Sequence, residues 1–265
     1  MRLLWLLLMA AMIARAEPPA ASPVEPLVVS KVEPPVVSPV EPLRFASGTR
    51  QTALVELYTS EGCSSCPPAE RWLAGLRDAS GLWRDFVPVA FHVNYWDDLG
   101  WRDRFASRQF TQRQYALADS WGGGSVYTPC FVRDGAEWHP SSAPGASDKI
   151  AGLLAVNYDP ASGRCRVKFL PAEKSAGSYD VHVALLGGGL ASNVTAGENE
   201  GETLEHEFVV LSLMDAPMQV DGAAATADMV VTQPETKNSA RRALAAWVTR
   251  HGELAALQAT GGWVP

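Results

Sequence analysis

From Thr52 the chain runs "TALVELYT", an apolar stretch broken by a single Glu, and then turns polar and small at "SEGCSSC". A short continuous apolar run that ends at turn residues predicts a buried strand. "PPAERWLAGLRDA", over 67–79, spaces Trp72, Leu73 and Leu76 at helical intervals behind two prolines that only a first helical turn tolerates. "FVPVAFHV", over 86–93, predicts a second buried strand, and a further helical pattern covers 103–118. "SVYTPCFVRDGAEWH" reads as two strands joined at Asp134-Gly135, a strong hairpin turn, and "SDKIAGLLAVNY", over 147–158, as a helix capped by Ser147.

Strand, helix, strand with a helix-length crossover predicts a right-handed parallel unit. The full order, βα, βα, ββα, is that of a thioredoxin-type layer over 49–159. Beyond Pro160 the pattern becomes short alternating runs, "CRVKFL", "YDVHVALLG", "TLEHEFVVLSL", "ADMVVTQ", "RALAAWVTR" and "ELAALQAT". That spacing predicts an antiparallel, sandwich-like β domain over 160–265 packed on the first. The expected fold class is therefore an α/β thioredoxin-like domain followed by an antiparallel β-rich C-terminal domain.

The first sixteen residues, "MRLLWLLLMAAMIARA", carry an early Arg, a short apolar run and a small-x-small site, the pattern of a cleaved signal peptide. Residues 17–48 repeat "VEPLVVSK" and "VEPPVVSP", with a proline at every period, and read as a disordered, polyproline-like spacer. The chain holds 22 Lys plus Arg against 29 Asp plus Glu, a net charge of −7, and becomes more acidic once Arg2 and Arg15 leave with the leader. An acidic surface argues against nucleic acid and anionic membranes as partners, and no membrane insertion is expected after cleavage. Export to an oxidising compartment also means that cysteine pairs persist as disulfides. With four cysteines in 265 residues, a disulfide framework is not needed to hold a core.

The chemistry concentrates at Cys63-Ser64-Ser65-Cys66, between the first strand and the first helix. There helix N-terminal N–H groups and the helix dipole favour thiolate over thiol, which predicts a redox pair with Cys63 attacking and Cys66 resolving. An inert loop staple and a Cu(I) site completed by Cys130 or His92 are the alternatives. Thr128-Pro129 heads the third strand, where thioredoxin-type folds carry a cis-proline that faces the dithiol and would shape a partner groove; a trans proline opening an edge strand is the alternative. Cys130 beside it reads as a third thiol, as a partner for Cys165, or as a small core residue. "FHVNYWDDLGW" brings His92, Asn94 and Trp96 to the carboxyl end of the second strand, with His92 either a proton shuttle or a satisfied structural residue. His206, between two glutamates in "GENEGETLEHEF", reads as a ligand reaching over or, more commonly, as a surface histidine.

The segments "VELYTSEGCSSCPPAE", "FHVNYWDDLGW", "SVYTP", "GENEGETLEH" and "LQATGGW" together resemble the exported, thioredoxin-like bacterial proteins grouped as domain of unknown function 1223. The resemblance implies a thioredoxin-like layer with Cys63 and Cys66 as its dithiol and a β-rich C-terminal part. It implies a periplasmic or cell-envelope setting, with no established reaction. Two positions depart from the group, Asn94 where it usually has Asp and Cys130 where it usually has Gln. The function expected is thiol–disulfide exchange with a protein thiol or disulfide partner and no diffusible cofactor. A Cu(I)-binding module, or a non-enzymatic envelope protein with a structural disulfide, is the alternative.

Overall fold

The computed structural model describes residues 41–173, 177–234 and 239–265, and strands dominate them. The first half holds β1 (Leu43–Ala46), β2 (Ala53–Thr59), α1 (Pro67–Gly75), β3 (Phe86–His92), α2 (Arg108–Ser120), β4 (Cys130–Arg133) and β5 (Ala136–Glu137). Next come β6 (Gly152–Tyr158), β7 (Arg164–Pro171), β8 (Tyr179–Gly188), β9 (Leu190–Asn193) and β10 (Thr203–His206). The chain closes with β11 (Val209–Pro217), β12 (Gln219–Asp221), β13 (Ala224–Val230), β14 (Arg241–Arg250) and β15 (Ala256–Val264). The expected leader lies outside the described residues, as does the expected spacer up to residue 40. The end of the expected spacer is overturned: Leu43–Ala46 lack proline, keep every N–H donor, and form β1 antiparallel to β6.

The expected α/β thioredoxin-like layer followed by a separate sandwich is overturned. One mixed sheet of eight strands, ordered β15-β14-β8-β11-β3-β2-β4-β5, draws on both halves of the chain. Local predictions within it hold, for β2 and β3 run parallel from Ala53 opposite Phe86 to Thr59 opposite His92, with α1 between them. The β4–β5 hairpin turns at Asp134 and Gly135 with φ of 51° and 88°. The divergence begins at β3, which has β11 parallel on its outer side, with Val209 opposite Ala90, and β8, β14 and β15 extend the sheet from there. The helix expected over 147–158 is also overturned. Leu154, Val156 and Tyr158 face inward at period two, and Gly152 sits at φ 106°, where a Cβ would lie 2.1 Å from the Leu170 carbonyl oxygen. An aliphatic-rich run fits either period, and here cross-strand pairing with β7 decides.

Both faces of the central strands are covered, which explains their unbroken apolar runs. On one face α2 sets Phe110 against Phe91, ring centroids 5.2 Å apart, and Arg113 on Glu56 at 2.8 Å, a buried ion pair that also receives the Tyr58 hydroxyl at 2.8 Å. On the other α1 sets Trp72 edge-on to Phe131 at 5.1 Å. Along β14, Trp247 joins the α2 side, while Leu244, Ala246 and Val248 pack on the second sheet, ordered β1-β6-β7-β13-β12. Each fully buried side chain of this size contributes roughly 1.5–3 kcal/mol. β9 and β10 form a small separate ribbon that lies against α1 and positions the site described next. Among the described residues no helix is long and apolar enough to cross a membrane.

Candidate functional site

Cys63 and Cys66 form a disulfide with Cα atoms 5.4 Å apart, and both residues are 0% exposed. Their loop leaves β2 through backbone turns, Cys63 N–H to Ser60 O and Cys66 N–H to Cys63 O at 3.1 Å each. Cys66 is the N-cap of α1. Here one expectation fails. Pro67 and Pro68 carry no N–H, and the Ala69 and Glu70 N–H groups turn back to Cys66 O at 2.9 and 3.1 Å, so the first turn aims no free donor at the sulfurs. The polar neighbour of Cys63 Sγ is instead the Ser65 hydroxyl, at 3.4 Å.

The loop is covered by the turn between β9 and β10. Asn199 donates from Nδ2 to the carbonyls of Glu61 and Cys63 at 2.8 and 3.0 Å, and Glu198 accepts from the Ser64 amide and hydroxyl at 3.0 and 2.7 Å. Beneath it lies a buried acid–histidine cluster. Thr59 and His92 are cross-strand partners at the ends of β2 and β3, so their side chains emerge on the α1 face, where the first turn of α1 brings Glu70 and the end of β10 brings His206.

Thr59 donates to Glu70 Oε1 at 2.6 Å, and His206 Nδ1 donates to Glu70 Oε2. His206 Nε2 is 3.2 Å from Glu61 Oε1, an ion-pair distance without hydrogen-bond alignment, and Trp101 donates to Glu61 Oε2 at 2.7 Å. His92 Nδ1 lies 2.6 Å from Asp103 Oδ2, which also accepts from the Glu61 amide at 2.9 Å. Phe105 closes the cluster, its ring 5.3 Å from that of His92 and 5.4 Å from that of His206. Burial alone would push His206 down, but Glu61 and Glu70 outweigh it and raise its pKa to about 9. Burial likewise opposes charge on Glu70, and the bond from His206 carries its pKa below the ordinary carboxylate value. The same balance holds Asp103 low and His92 high.

The other expected site residues fall around this centre. A side chain at Gly62 would put its Cβ 3.0 Å from that of Trp96, and Trp96 donates from Nε1 to the Thr128 hydroxyl at 2.9 Å, so this indole links the cysteine loop to the Thr128–Pro129 turn. The Thr128–Pro129 peptide is cis. Asn94 serves structure, for its amide and side chain both bond the Thr111 hydroxyl of α2, at 3.0 and 2.7 Å. Cys130 and Cys165 are free and buried, so they do not pair. Burial raises the Cys130 thiol to about 11 and the Cys165 thiol to about 12. His206 is 1% exposed, which overturns its reading as a surface residue. Glu61, Glu70, Asp103 and Asn199 were not singled out from sequence. Glu61 and Glu70 carried the one available signal, acids flanking a cysteine pair.

Fold and site together define a β-dominated protein with a buried short-loop disulfide beside a Glu–His cluster. The chain belongs to the family described as protein of unknown function, DUF1223, which matches residues 54–249. It is similar in fold to the crystal structure of protein AGR_C_4864 from Agrobacterium tumefaciens, with 23% identity and a TM-score of 0.59, covering 80% of this chain and 94% of that one. It is also similar to HBP35 of Porphyromonas gingivalis, with 14% identity and a TM-score of 0.57, covering 82% of this chain and 76% of that one. No curated protein matches the chain significantly.

Proposed function

We propose that Cys63–Cys66 is a redox-active pair that exchanges with thiols or disulfides of protein partners outside the cytoplasm, in the periplasm or cell envelope. The observation that carries this reading is a covalent link placed where the loop is already held. Turns anchor both cysteines and Asn199 clamps the Cys63 carbonyl. A loop this short gains only about 1.5–2 kcal/mol of closure entropy, roughly half of what a fifteen-residue loop gains. As a staple the bond adds little.

In the reduced protein the Cys63 thiolate, with the Ser65 hydroxyl beside it, attacks a partner disulfide; a mixed disulfide forms and one partner thiolate leaves. Cys66 then attacks Cys63 Sγ, restores the internal disulfide and releases the second partner thiolate. Two electrons pass to the partner, and the same steps run in reverse from the oxidised protein. Because both sulfurs are buried, a partner gains access only when the loop moves, and Glu198 and Asn199 are among the groups that hold it.

The test is a titration of the metal-free protein against glutathione, with thiols counted by mass, together with Cys66→Ser as a trap. Reversible opening between about −270 and −120 mV, and mixed disulfides captured through Cys63, are the expected results. A pair that stays closed across that range and captures nothing would leave only the staple.

A further inference from the structure

Three side-chain atoms in the cluster are buried and lack hydrogen-bond partners: His92 Nε2, His206 Nε2 and Glu61 Oε1. An unmatched polar atom in a protein interior costs about 1–3 kcal/mol; the last two face each other as an ion pair at 3.2 Å, so of the three it is His92 Nε2 that is left without a counterpart and calls for a ligand. We propose that Glu70, His92 and His206 form a binding site for a divalent first-row transition-metal ion beside the Cys63–Cys66 disulfide.

The donors are close enough to share one ion. One atom from each of the three residues lies within 4.8 Å of the others. Ligands on a tetrahedral ion with bonds near 2.1 Å stand about 3.4 Å apart, so the side chains need to close by at most about 1.4 Å from that limit. The ring of His92 is fixed by Asp103 at Nδ1, which leaves Nε2 as its inward donor, the carboxylate–histidine arrangement that orients metal ligands. Glu70 is held in the same way by the Thr59 hydroxyl at 2.6 Å. Glu61 Oε1, 3.2 Å from His206 Nε2, stands ready as a further donor.

The donor types choose the ion. Two imidazoles with one or two carboxylates suit the zinc class, whereas calcium and magnesium prefer all-oxygen shells and Cu(I) prefers sulfur. A cleft of about 170 Å³ between α1 and β10, lined by Pro67, Glu70, Arg71, Thr203, Leu204 and Glu205, reaches the Glu70 ligand from the surface. The site uses no sulfur, so it is available with the disulfide intact and does not depend on the redox reading.

The experiment uses the full, oxidised chain stripped with a chelator and dialysed against zinc. One ion per chain at micromolar zinc is expected. His92→Gln should abolish that binding, and Asp103→Asn should weaken it about 10–100-fold by releasing the ring it orients. A variant with Cys63→Ser and Cys66→Ser together should bind as the parent does. Cobalt(II) added to the unaltered protein gives a readout that survives any misfolding of the variants, with ligand-field bands and no thiolate charge-transfer band expected. Absence of binding by the parent, unchanged affinity in a folded His92→Gln, loss of zinc in the cysteine variant or a thiolate band would each overturn the site.

Discussion

Asn199 does more for the cysteine loop than its position in a turn suggests, because one amide nitrogen serves the carbonyls of both Glu61 and Cys63. Replacing it with Ala removes two buried hydrogen bonds, about 1–3 kcal/mol in all, from the contact that closes over the sulfurs. Asn199→Ala should therefore speed reduction of Cys63–Cys66 by dithiothreitol about tenfold, since about 1.4 kcal/mol is one decade. A rate equal to the parent's would show that reductant reaches the sulfurs by another route. At this scale the sequence displayed the cysteines plainly, because their spacing is local. It concealed the groups that surround them. Glu70 and His206 are 136 residues apart, and nothing near His206 in the chain announces a buried partner. A histidine between two glutamates on a strand reads as surface until the strand is known to lie against α1.

Among the elements, the β4–β5 hairpin was the most legible, since Asp134-Gly135 accepts the left-handed backbone its turn requires. Asp134 has a second task there, accepting the Leu54 amide at 2.8 Å. Burial raises its pKa to about 6, above the value near 3.9 of an unfolded chain. A group raised in this way favours the fold below about pH 4, and that contribution is lost as pH rises through about 6. Asn keeps the acceptor and tolerates the same backbone without the desolvated charge. Asp134→Asn should thus stabilise the protein by about 1–2 kcal/mol at pH 7, allowing for partial exposure of the side chain, and change nothing at pH 4. Urea midpoints at the two pH values check this, and equal midpoints at pH 7 would refute it. β6 was the least legible element, because "GLLAVNY" has apolar residues on either period and only its pairing with β1 and β7 selects the strand.

For the molecule as a whole, the order β2-α1-β3-α2-β4-β5 is legible in the sequence, but the strand that replaces the last expected helix and the extent of the sheet are not. Nothing in β3 indicates that a strand from residues 209–217 will lie beside it, since a strand buried on both faces looks the same whether its sheet ends there or continues. The consequence is that the two halves share one sheet. Residues 49–159 produced alone would leave the β3 edge unpaired and strip its neighbours of β8, β11, β14 and β15. Such a piece should show no cooperative thermal transition and a flat near-ultraviolet circular dichroism spectrum; a sharp transition would restore an independent first domain. The same long-range construction sets an order in time. Glu198 and Asn199 stand 134 and 136 residues downstream of the loop positions they hold. A chain made from its N-terminus presents both cysteines while their cover has yet to be synthesised. An oxidant that reached the chain before the covering turn was made would therefore meet the sulfurs without waiting for that turn to move.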